Sequence, residues 1–128
     1  MVQVQDLMVR NPNTVHPEMA LVQVADLMQD IACRHLPVLE NGMLVGIISD
    51  RDLRMSRAHL QNIEVAEYMT PDPITIAPDA NVKEAARILN DNAIGALPVI
   101  EDGSLVGILT VYDILEYVIH LPEPATAG

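Results

Sequence analysis

The chain has 128 residues, 50% of them hydrophobic, and a formal net charge of −11 at pH 7. Its length and apolar content are those of one globular domain, and the absence of Phe and Trp makes its core aliphatic. The negative charge repels polyanions, which excludes nonspecific binding to nucleic acid or to an acidic membrane surface.

The cysteine content and the composition of the N-terminal segment indicate the cellular compartment. Cys33 is the only cysteine, so an intrachain disulfide is impossible and a reducing compartment is expected. The N-terminus lacks a basic segment followed by a long apolar one, and no run approaches the ~18 apolar residues of a membrane span. These features predict a cytoplasmic protein that does not enter a membrane.

The chain contains an internal repeat. The segment Val4–Arg54 aligns without gaps on Val65–Leu115, at a constant offset of 61 residues, and about one third of the aligned pairs are identical. A duplication of this length predicts two copies of one supersecondary unit, each too small to bury a stable core alone. We expect the copies to pack on each other with pseudo-two-fold symmetry and to form clefts between them.

Each copy begins with a polar segment, followed by a short β-favouring piece between two prolines. These pieces, Thr14-Val15 and Thr75-Ile76, are long enough only for an edge strand. Apolar residues then recur at i, i+3, i+4 and i+7, which predicts one amphipathic helix per copy. The residues that carry this pattern are Leu21, Val24, Ala25 and Met28 in the first copy and Val82, Ala85, Ala86 and Leu89 in the second.

A hairpin and a second helix complete each copy. Two β-rich runs flank Asn41-Gly42 in the first copy and Asp102-Gly103 in the second, and such dipeptides adopt the positive φ angles of a tight hairpin. Ser49 and Thr110 follow the hairpins, where a hydroxyl can cap the first turn of a helix. The predicted order per copy is β-α-β-β-α, which gives a mixed α/β (α+β) fold of two packed repeats.

The repeats set the expected domain boundaries. We assign repeat one to residues 1–61, repeat two to residues 62–121, and a disordered tail to residues 122–128. No Gly/Ser-rich linker separates the copies, so they are held close together, and the composition of the last residues is that of a frayed terminus.

Several features together resemble tandem cystathionine-β-synthase (CBS) domains. They are the duplication, the Leu-Pro-Val entry to each hairpin, the strand VGII or VGIL, and the Ser/Thr-x-x-Asp turn that follows as SDRD or TVYD. The resemblance covers about residues 1–120. It implies a disc-like sensor module with no chemistry of its own, which binds an adenosine-containing ligand between its repeats.

The resemblance also implies the ligand and its contacts. In the family the aspartate of the turn binds the ribose, which gives that role to Asp52 and Asp113 and places Ser49 and Thr110 near sugar or phosphate oxygens. An adenine nucleotide (AMP, ADP or ATP) is the expected ligand, Mg²⁺ can accompany its phosphates, and S-adenosylmethionine ranks second. The full set of nucleotide-binding residues is Val15, Arg34, His35, Leu36, Pro37, Ser49, Arg51, Asp52, Thr75, Ile76, Ala96, Leu97, Pro98, Thr110, Tyr112 and Asp113.

Elementary chemistry leaves two interpretations of the Ser/Thr-x-x-Asp turns open. A carboxylate can accept both hydroxyl hydrogens of a ribose, and the helix N-terminus beside it offers N–H groups and a positive dipole to a phosphate. The same residues can instead form only a capping box, in which the third helical residue reaches back to the cap. Glu or Gln is preferred at that position, so Asp in both copies favours the ligand.

The copies differ in charge around the expected clefts. Val4–Arg54 contains four arginines and seven acidic residues, net −3, whereas Val65–Leu115 contains two basic and eight acidic residues, net −6. Arginine binds phosphate oxygens bidentately, so we expect the first copy's cleft to bind the nucleotide more tightly. That cleft is expected to contain Asp52, Ser49, Arg51, Arg34 and His35.

Alternatives to this asymmetry remain. Arg51 and Arg54 are also consistent with solvated helix residues that pair with nearby acids. The second cleft is expected either to be empty or to suit a less anionic compound such as S-adenosylmethionine, with Tyr112 as a wall.

Catalysis and a protein-bound metal are not expected. The four histidines are scattered without metal-ligand spacing, and the sequence contains no P-loop, nucleophile elbow or nucleophile with an evident base. The resemblance implies a homodimer formed by the Met- and Ala-containing helices, and the leading hypothesis is a regulatory module that signals to an unknown partner through that dimer. The alternative is a structural dimerisation or interaction module with vestigial clefts.

Overall fold

The computed structural model describes residues 1–56 and 62–124. The first half contains α1 (Val4–Leu7), β1 (Val9–Arg10), α2 (Leu21–Ile31), β2 (His35–Glu40), β3 (Met43–Ser49) and α3 (Asp50–Ser56). The second half contains α4 (Val65–Tyr68), β4 (Thr70–Pro71), α5 (Val82–Asp91), β5 (Ala96–Glu101), β6 (Ser104–Thr110) and α6 (Val111–Ile119). The mixed helix and strand class is confirmed. The predicted boundary at residue 61 and residues 125–128 of the predicted tail lie outside the described residues.

Both predicted hairpins are confirmed. β2 pairs with β3 and β5 with β6, in antiparallel register and with two-residue loops. The loop residues all have positive φ: 52° at Asn41 and 79° at Gly42, and 51° at Asp102 and 79° at Gly103. This conformation matches the twist of the flanking strands, which explains why Asn-Gly and Asp-Gly stand here.

The predicted helices are also confirmed. α2 buries Leu21, Val24 and Met28, and α5 buries the corresponding apolar stripe of the second repeat. α3 and α6 begin directly after Ser49 and Thr110, as expected from the capping hydroxyls. Local periodicity and cap chemistry are therefore sufficient to place the four longer helices.

The predicted first strand of each repeat is corrected. Val15 and Ile76 each form only one isolated parallel bridge, to Val38 and Val99 respectively. The short strand of each repeat lies earlier, as β1 and β4, each preceded by a one-turn helix. The order in each repeat is therefore α-β-α-β-β-α.

The two repeats exchange their first segments. β1 pairs with β6 of the second repeat, and β4 pairs with β3 of the first, so each three-stranded sheet contains strands from both repeats. Main-chain hydrogen bonds extend the exchange, because Val4 N–H donates to Ala80 O at 2.8 Å and Val65 N–H donates to Met19 O at 2.9 Å. The repeats are thus joined through their backbones as well as their side chains.

The hydrophobic cores follow the same exchange. Val4 and Met8 of the first repeat are buried among residues of α5, β5 and β6. Val65 of the second repeat is buried among residues of α2, β2 and β3. Each core is therefore incomplete without a segment from the other repeat. No helix in the described part of the chain is long and apolar enough to cross a membrane.

Glycine in β3 and β6 permits the exchanged strand to approach. A Cβ built on Gly107 would lie 2.6 Å from Met8 Sδ and 2.9 Å from the Val9 carbonyl oxygen. A Cβ on Gly46 would meet Met69 Sδ and the Thr70 carbonyl oxygen at 2.5 and 3.0 Å. The methionine can move, but the main-chain oxygen cannot move without loss of strand pairing.

We therefore expect Gly107→Ala to lower the free energy of unfolding by about 1–3 kcal/mol, the usual cost of overpacking. Chemical denaturation monitored by circular dichroism measures this change. Ser104→Ala, an exposed substitution in the same strand, is the control and should leave stability within about 0.5 kcal/mol. An unchanged or raised stability of Gly107→Ala would contradict the close approach of β1.

Candidate functional site

Two pockets lie where the repeats meet, and each takes its lining from both. The Asp113 pocket, with a volume of about 660 Å³, joins the end of β6 and the start of α6 to residues that precede β2 and follow β1. The Asp52 pocket, of about 380 Å³, joins the start of α3 to residues that precede β5 and follow β4. These volumes are those of small-molecule sites.

The two pockets correspond under the offset of the repeat. Asn11, Pro12, Ala32, Arg34 and Thr110 in the Asp113 pocket match residues of the Asp52 pocket. The matching residues are Asp72, Pro73, Ala93, Gly95 and Ser49. The backbone therefore builds the same cleft twice, and chemical differences between the clefts come from side chains.

Both Ser/Thr-x-x-Asp turns form capping boxes. Thr110 N–H and Thr110 Oγ1 donate to Asp113 Oδ2 at 2.8 and 3.0 Å, and Asp113 N–H donates to Thr110 Oγ1 at 3.2 Å. Ser49 and Asp52 repeat this arrangement at 2.8, 2.9 and 3.3 Å. Each bond that an Asp carboxylate accepts here ends on Oδ2, and among the described residues none reaches Oδ1. The capping and ligand interpretations are therefore compatible, because one carboxylate oxygen stays available to a ribose.

Arg34 crosses the Asp113 pocket from one repeat to the other. Its Nη1 donates to the Tyr112 hydroxyl at 2.8 Å, and its Cζ lies 5.1 Å from the centroid of that ring. Arg34 belongs to the segment before β2, whereas Tyr112 lies in the first turn of α6. The pair fixes a guanidinium at the rim of the pocket that contains Asp113.

This arrangement corrects the expected grouping of side chains. Arg34 was expected in one cleft with Ser49, Arg51 and Asp52, but it lines the pocket of Asp113 instead. The reason is that each pocket combines the first half of one repeat with the second half of the other.

The charges of the pockets differ accordingly. Among the residues that the structure describes, Arg10 and Arg34 line the Asp113 pocket together with one carboxylate, that of Asp113. The described lining of the Asp52 pocket contains one arginine, Arg51, and three carboxylates, those of Asp50, Asp52 and Asp72. The more basic cleft is thus built around the aspartate of the second repeat.

His35 lines both pockets and forms a wall between them. A Cβ on Gly95 would lie 2.9 Å from His35 Nε2, so the absence of a side chain at Gly95 makes room for the ring. Burial lowers the pKa of His35, while the Asp50 and Asp52 carboxylates act in the opposite direction. The imidazole is therefore neutral at pH 7, with one donor and one acceptor nitrogen.

The remaining predicted site residues fall into two groups. Six of the sixteen line neither pocket: Val15, Pro37, Thr75, Ile76, Leu97 and Pro98. All except Thr75 are buried, and Val15 and Ile76 hold the chain to β2 and β5 through main-chain hydrogen bonds. The other ten line one pocket or both, with Leu36 at the Asp113 pocket and Ala96 at the Asp52 pocket.

Residues that follow the exchanged strands were missed by the sequence analysis. Asn11 and Asp72 have φ of 48° and 46° and turn the chain into the pockets. The Asn-Pro and Asp-Pro pairs at corresponding positions of the two repeats were a turn signal. That signal could mark a turn but could not reveal that it faces the opposite repeat.

Other reactive groups near the pockets are few. Cys33 lines the Asp113 pocket, and burial raises the pKa of its thiol. No cluster of three or more His, Cys, Asp or Glu side chains that could hold a metal ion occurs within residues 1–56 and 62–124. Of the groups at the pockets, the carboxylates and guanidinium groups remain the principal candidates for ligand contacts.

Solved structures share this fold. A putative acetoin utilization protein from Vibrio cholerae is 34% identical, with a TM-score of 0.82 over 97% of this chain and 99% of that one. The Arabidopsis thaliana CBS-pair protein CBSX2, solved in complex with AMP, is 28% identical, with a TM-score of 0.79 over 93% and 97% of the two chains. A CBS domain pair solved with 5′-methylthioadenosine and S-adenosyl-L-methionine is 31% identical, with a TM-score of 0.82 over 91% and 99%.

Curated relatives are longer proteins. A homoserine O-acetyltransferase of Methanocorpusculum labreanum is 38% identical over 109 residues, which are 84% of this chain and 22% of the relative. An inosine-5′-monophosphate dehydrogenase of Korarchaeum cryptofilum is 34% identical over 111 residues, which are 86% of this chain and 23% of the relative. This chain thus spans less than a quarter of the length of either enzyme.

A family model for the CBS domain matches the chain twice, over residues 4–59 and 65–120. The two matches follow the internal repeat and contain both capped Asp turns. With the fold shared by solved CBS pairs, they establish that the chain belongs to the CBS-domain family, as two CBS domains in tandem.

Proposed function

We propose that this chain is a non-catalytic regulatory module that binds an adenosine-containing ligand, first of all an adenine nucleotide, between its two CBS domains. The observation that carries the proposal is the Asp carboxylate at each pocket, held by its capping box through Oδ2 with Oδ1 free of bonds from the described residues. A fixed acceptor of this kind suits the vicinal hydroxyls of a ribose.

Relatives with bound ligands support the adenosine part of the proposal. One CBS pair at 28% identity was solved with AMP, and another at 31% identity was solved with 5′-methylthioadenosine and S-adenosyl-L-methionine. Adenine and a ribose with free 2′ and 3′ hydroxyls are the part that these three ligands share. The choice of nucleotide for this chain is therefore tested with ligands that differ only outside the adenosine.

The chemistry of the pockets favours binding over catalysis. Asp52 and Asp113 are tied into helix caps, and the neutral imidazole of His35 lies between the two pockets. The raised pKa of Cys33 keeps its thiol protonated at neutral pH, which makes it a poor nucleophile. We assign these residues to ligand contact and to pocket shape.

A thermal-shift panel of AMP, ADP, ATP and S-adenosylmethionine tests the proposal. A ligand at 100 times its dissociation constant should stabilise the chain by about 2.7 kcal/mol. The double variant Asp52→Asn/Asp113→Asn should lose the shift. Its amide oxygens can still accept the capping bonds, but each amide nitrogen presents donors where the free carboxylate oxygen would accept.

The control is Asp91→Asn, an exposed substitution at the end of α5 that removes the same charge away from both pockets. It should keep the full ligand-induced shift. If none of the four compounds stabilises the wild-type chain, the adenosine-sensor function is wrong and the structural module with vestigial clefts is favoured.

We further propose that the module signals as a homodimer that pairs through α6. This helix buries none of its residues, and Leu115, Val118 and Ile119 are 49%, 53% and 71% exposed. A two-fold interface brings the same patch of each copy together, so one apolar face suffices for both partners. The predicted Met- and Ala-containing helices α2 and α5 bury Met28 and Ala85 within the chain, so we choose the more exposed apolar face of α6 for this contact.

Sedimentation velocity measures the association directly. We expect a dimer for the wild type and at least a tenfold weaker dimer for Leu115→Glu. Each subunit would then bury a glutamate carboxylate in the interface without a cationic partner. Ser104→Glu, which adds the same charge in the exposed hairpin, should leave the dimer unchanged. A wild-type chain that stays monomeric would overturn dimer signalling.

A further inference from the structure

We propose that Arg34 makes the Asp113 pocket selective for phosphorylated adenosine ligands, that Tyr112 is the positioning residue for Arg34, and that the Asp52 pocket lacks this selection. The inference rests on the proposed function, since it assumes that both pockets accept adenosine. It identifies the pocket that binds the phosphate selectively and the residue that contacts it. The selecting side chain comes from the repeat opposite to the aspartate that holds the ribose.

The guanidinium of Arg34 is held in place and keeps most of its donors free for a ligand. Arg34 donates one N–H to the Tyr112 hydroxyl at 2.8 Å, and its Cζ lies 5.1 Å from the centroid of the Tyr112 ring. A guanidinium has five N–H donors, so four stay available to phosphate oxygens in a planar fork. Stacking on an aromatic face restricts the guanidinium without consuming these donors.

The electrostatic potential in the Asp113 pocket also favours a phosphate. Arg10 also lines the Asp113 pocket, and its Nη2 is anchored on the Gln5 carbonyl oxygen at 3.1 Å. Asp113 is the only carboxylate of this lining within residues 1–56 and 62–124. A ligand that places its ribose at Asp113 would therefore keep its phosphate in a locally basic environment, although the whole chain carries a net charge of −11.

The Asp52 pocket lacks the corresponding basic side chains. Gly95 occupies the position that corresponds to Arg34, and Pro71 the position that corresponds to Arg10. Among the described lining residues the one arginine, Arg51, is accompanied by three carboxylates. A phosphate there would meet net negative charge, so the Asp52 pocket should not distinguish a nucleotide from a nucleoside in favour of the nucleotide.

Titration calorimetry with AMP and with adenosine tests the inference, because the two ligands differ only in the phosphate. Measurements in the Asp52→Asn background report the Asp113 pocket, and those in the Asp113→Asn background report the other. We expect AMP to bind the Asp113 pocket at least about tenfold more tightly than adenosine, from one charge-assisted phosphate contact. The Asp52 pocket should bind the two ligands within about threefold.

Variants assign the selectivity to its residues. Arg34→Gly, which installs the residue of the other repeat, and Arg34→Gln should each lower AMP affinity at least about tenfold and leave adenosine affinity within about twofold. Tyr112→Phe keeps the ring but removes the hydroxyl, so AMP affinity should fall about threefold with adenosine unchanged. Arg87→Gln, an exposed charge-matched control on α5, should change neither.

A second readout separates phosphate contact from a structural effect. The affinity of the Asp113 pocket for AMP should fall with salt, and Arg34→Gln should reduce that slope while the melting temperature stays unchanged. Adenosine binding without preference for AMP would overturn this inference and leave the proposed function intact. Failure of the wild type to bind either ligand would overturn this inference, and the four-compound thermal-shift panel would then decide the proposed function. Equal loss of both ligands in Arg34→Gln would make Arg34 structural and would likewise overturn this inference.

Discussion

The exchange of the first segments between the repeats is the contact on which the rest of the structure depends. β1 lies on β6, and β4 lies on β3, at glycines where even a methyl group would collide with the main chain. The same exchange completes both hydrophobic cores and brings the turns after β1 and β4 to the pockets. A half of the chain taken alone would have an incomplete core, an unpaired sheet edge and one wall of each cleft.

Backbone symmetry and side-chain asymmetry have separate roles in this molecule. The capping boxes have nearly equal distances in the two halves, so the ribose acceptor is part of the duplicated scaffold. The basic groups are not duplicated, since Arg34 corresponds to Gly95 and Arg51 to Tyr112. A substitution at a position that lines a single cleft, such as Arg34, alters that cleft only, whereas His35 lines both. Duplicated pockets can therefore diverge in ligand without a change in fold.

Turn dipeptides and apolar periodicity predicted the hairpins and helices, but the pairing of strands distant in sequence could not be predicted from them. Asn41-Gly42 and the apolar stripe of α2 carry their own signals, so the hairpins and helices were predictable from the sequence. β1 has two residues and no pattern of its own, and its pairing depends on a partner about a hundred positions away. The sixteen site residues were selected on local motifs, so core residues such as Leu97 were included and Asn11 was missed. Arg34 was identified but assigned to the wrong aspartate for the same reason.

Regulation requires a ligand to bind two arrangements of the module with different affinity. The Asp113 pocket meets the structural condition, because its ligand would contact Arg34 before β2 and Asp113 in α6, on opposite repeats. α6 starts at this pocket and continues into the exposed apolar face at Leu115, Val118 and Ile119. A phosphate bound by Arg34 while that side chain is held by Tyr112 therefore acts on the first turn of the helix that we propose forms the dimer. Binding energy at the pocket and association at the far end of α6 are thus linked through one rigid element about two and a half turns long.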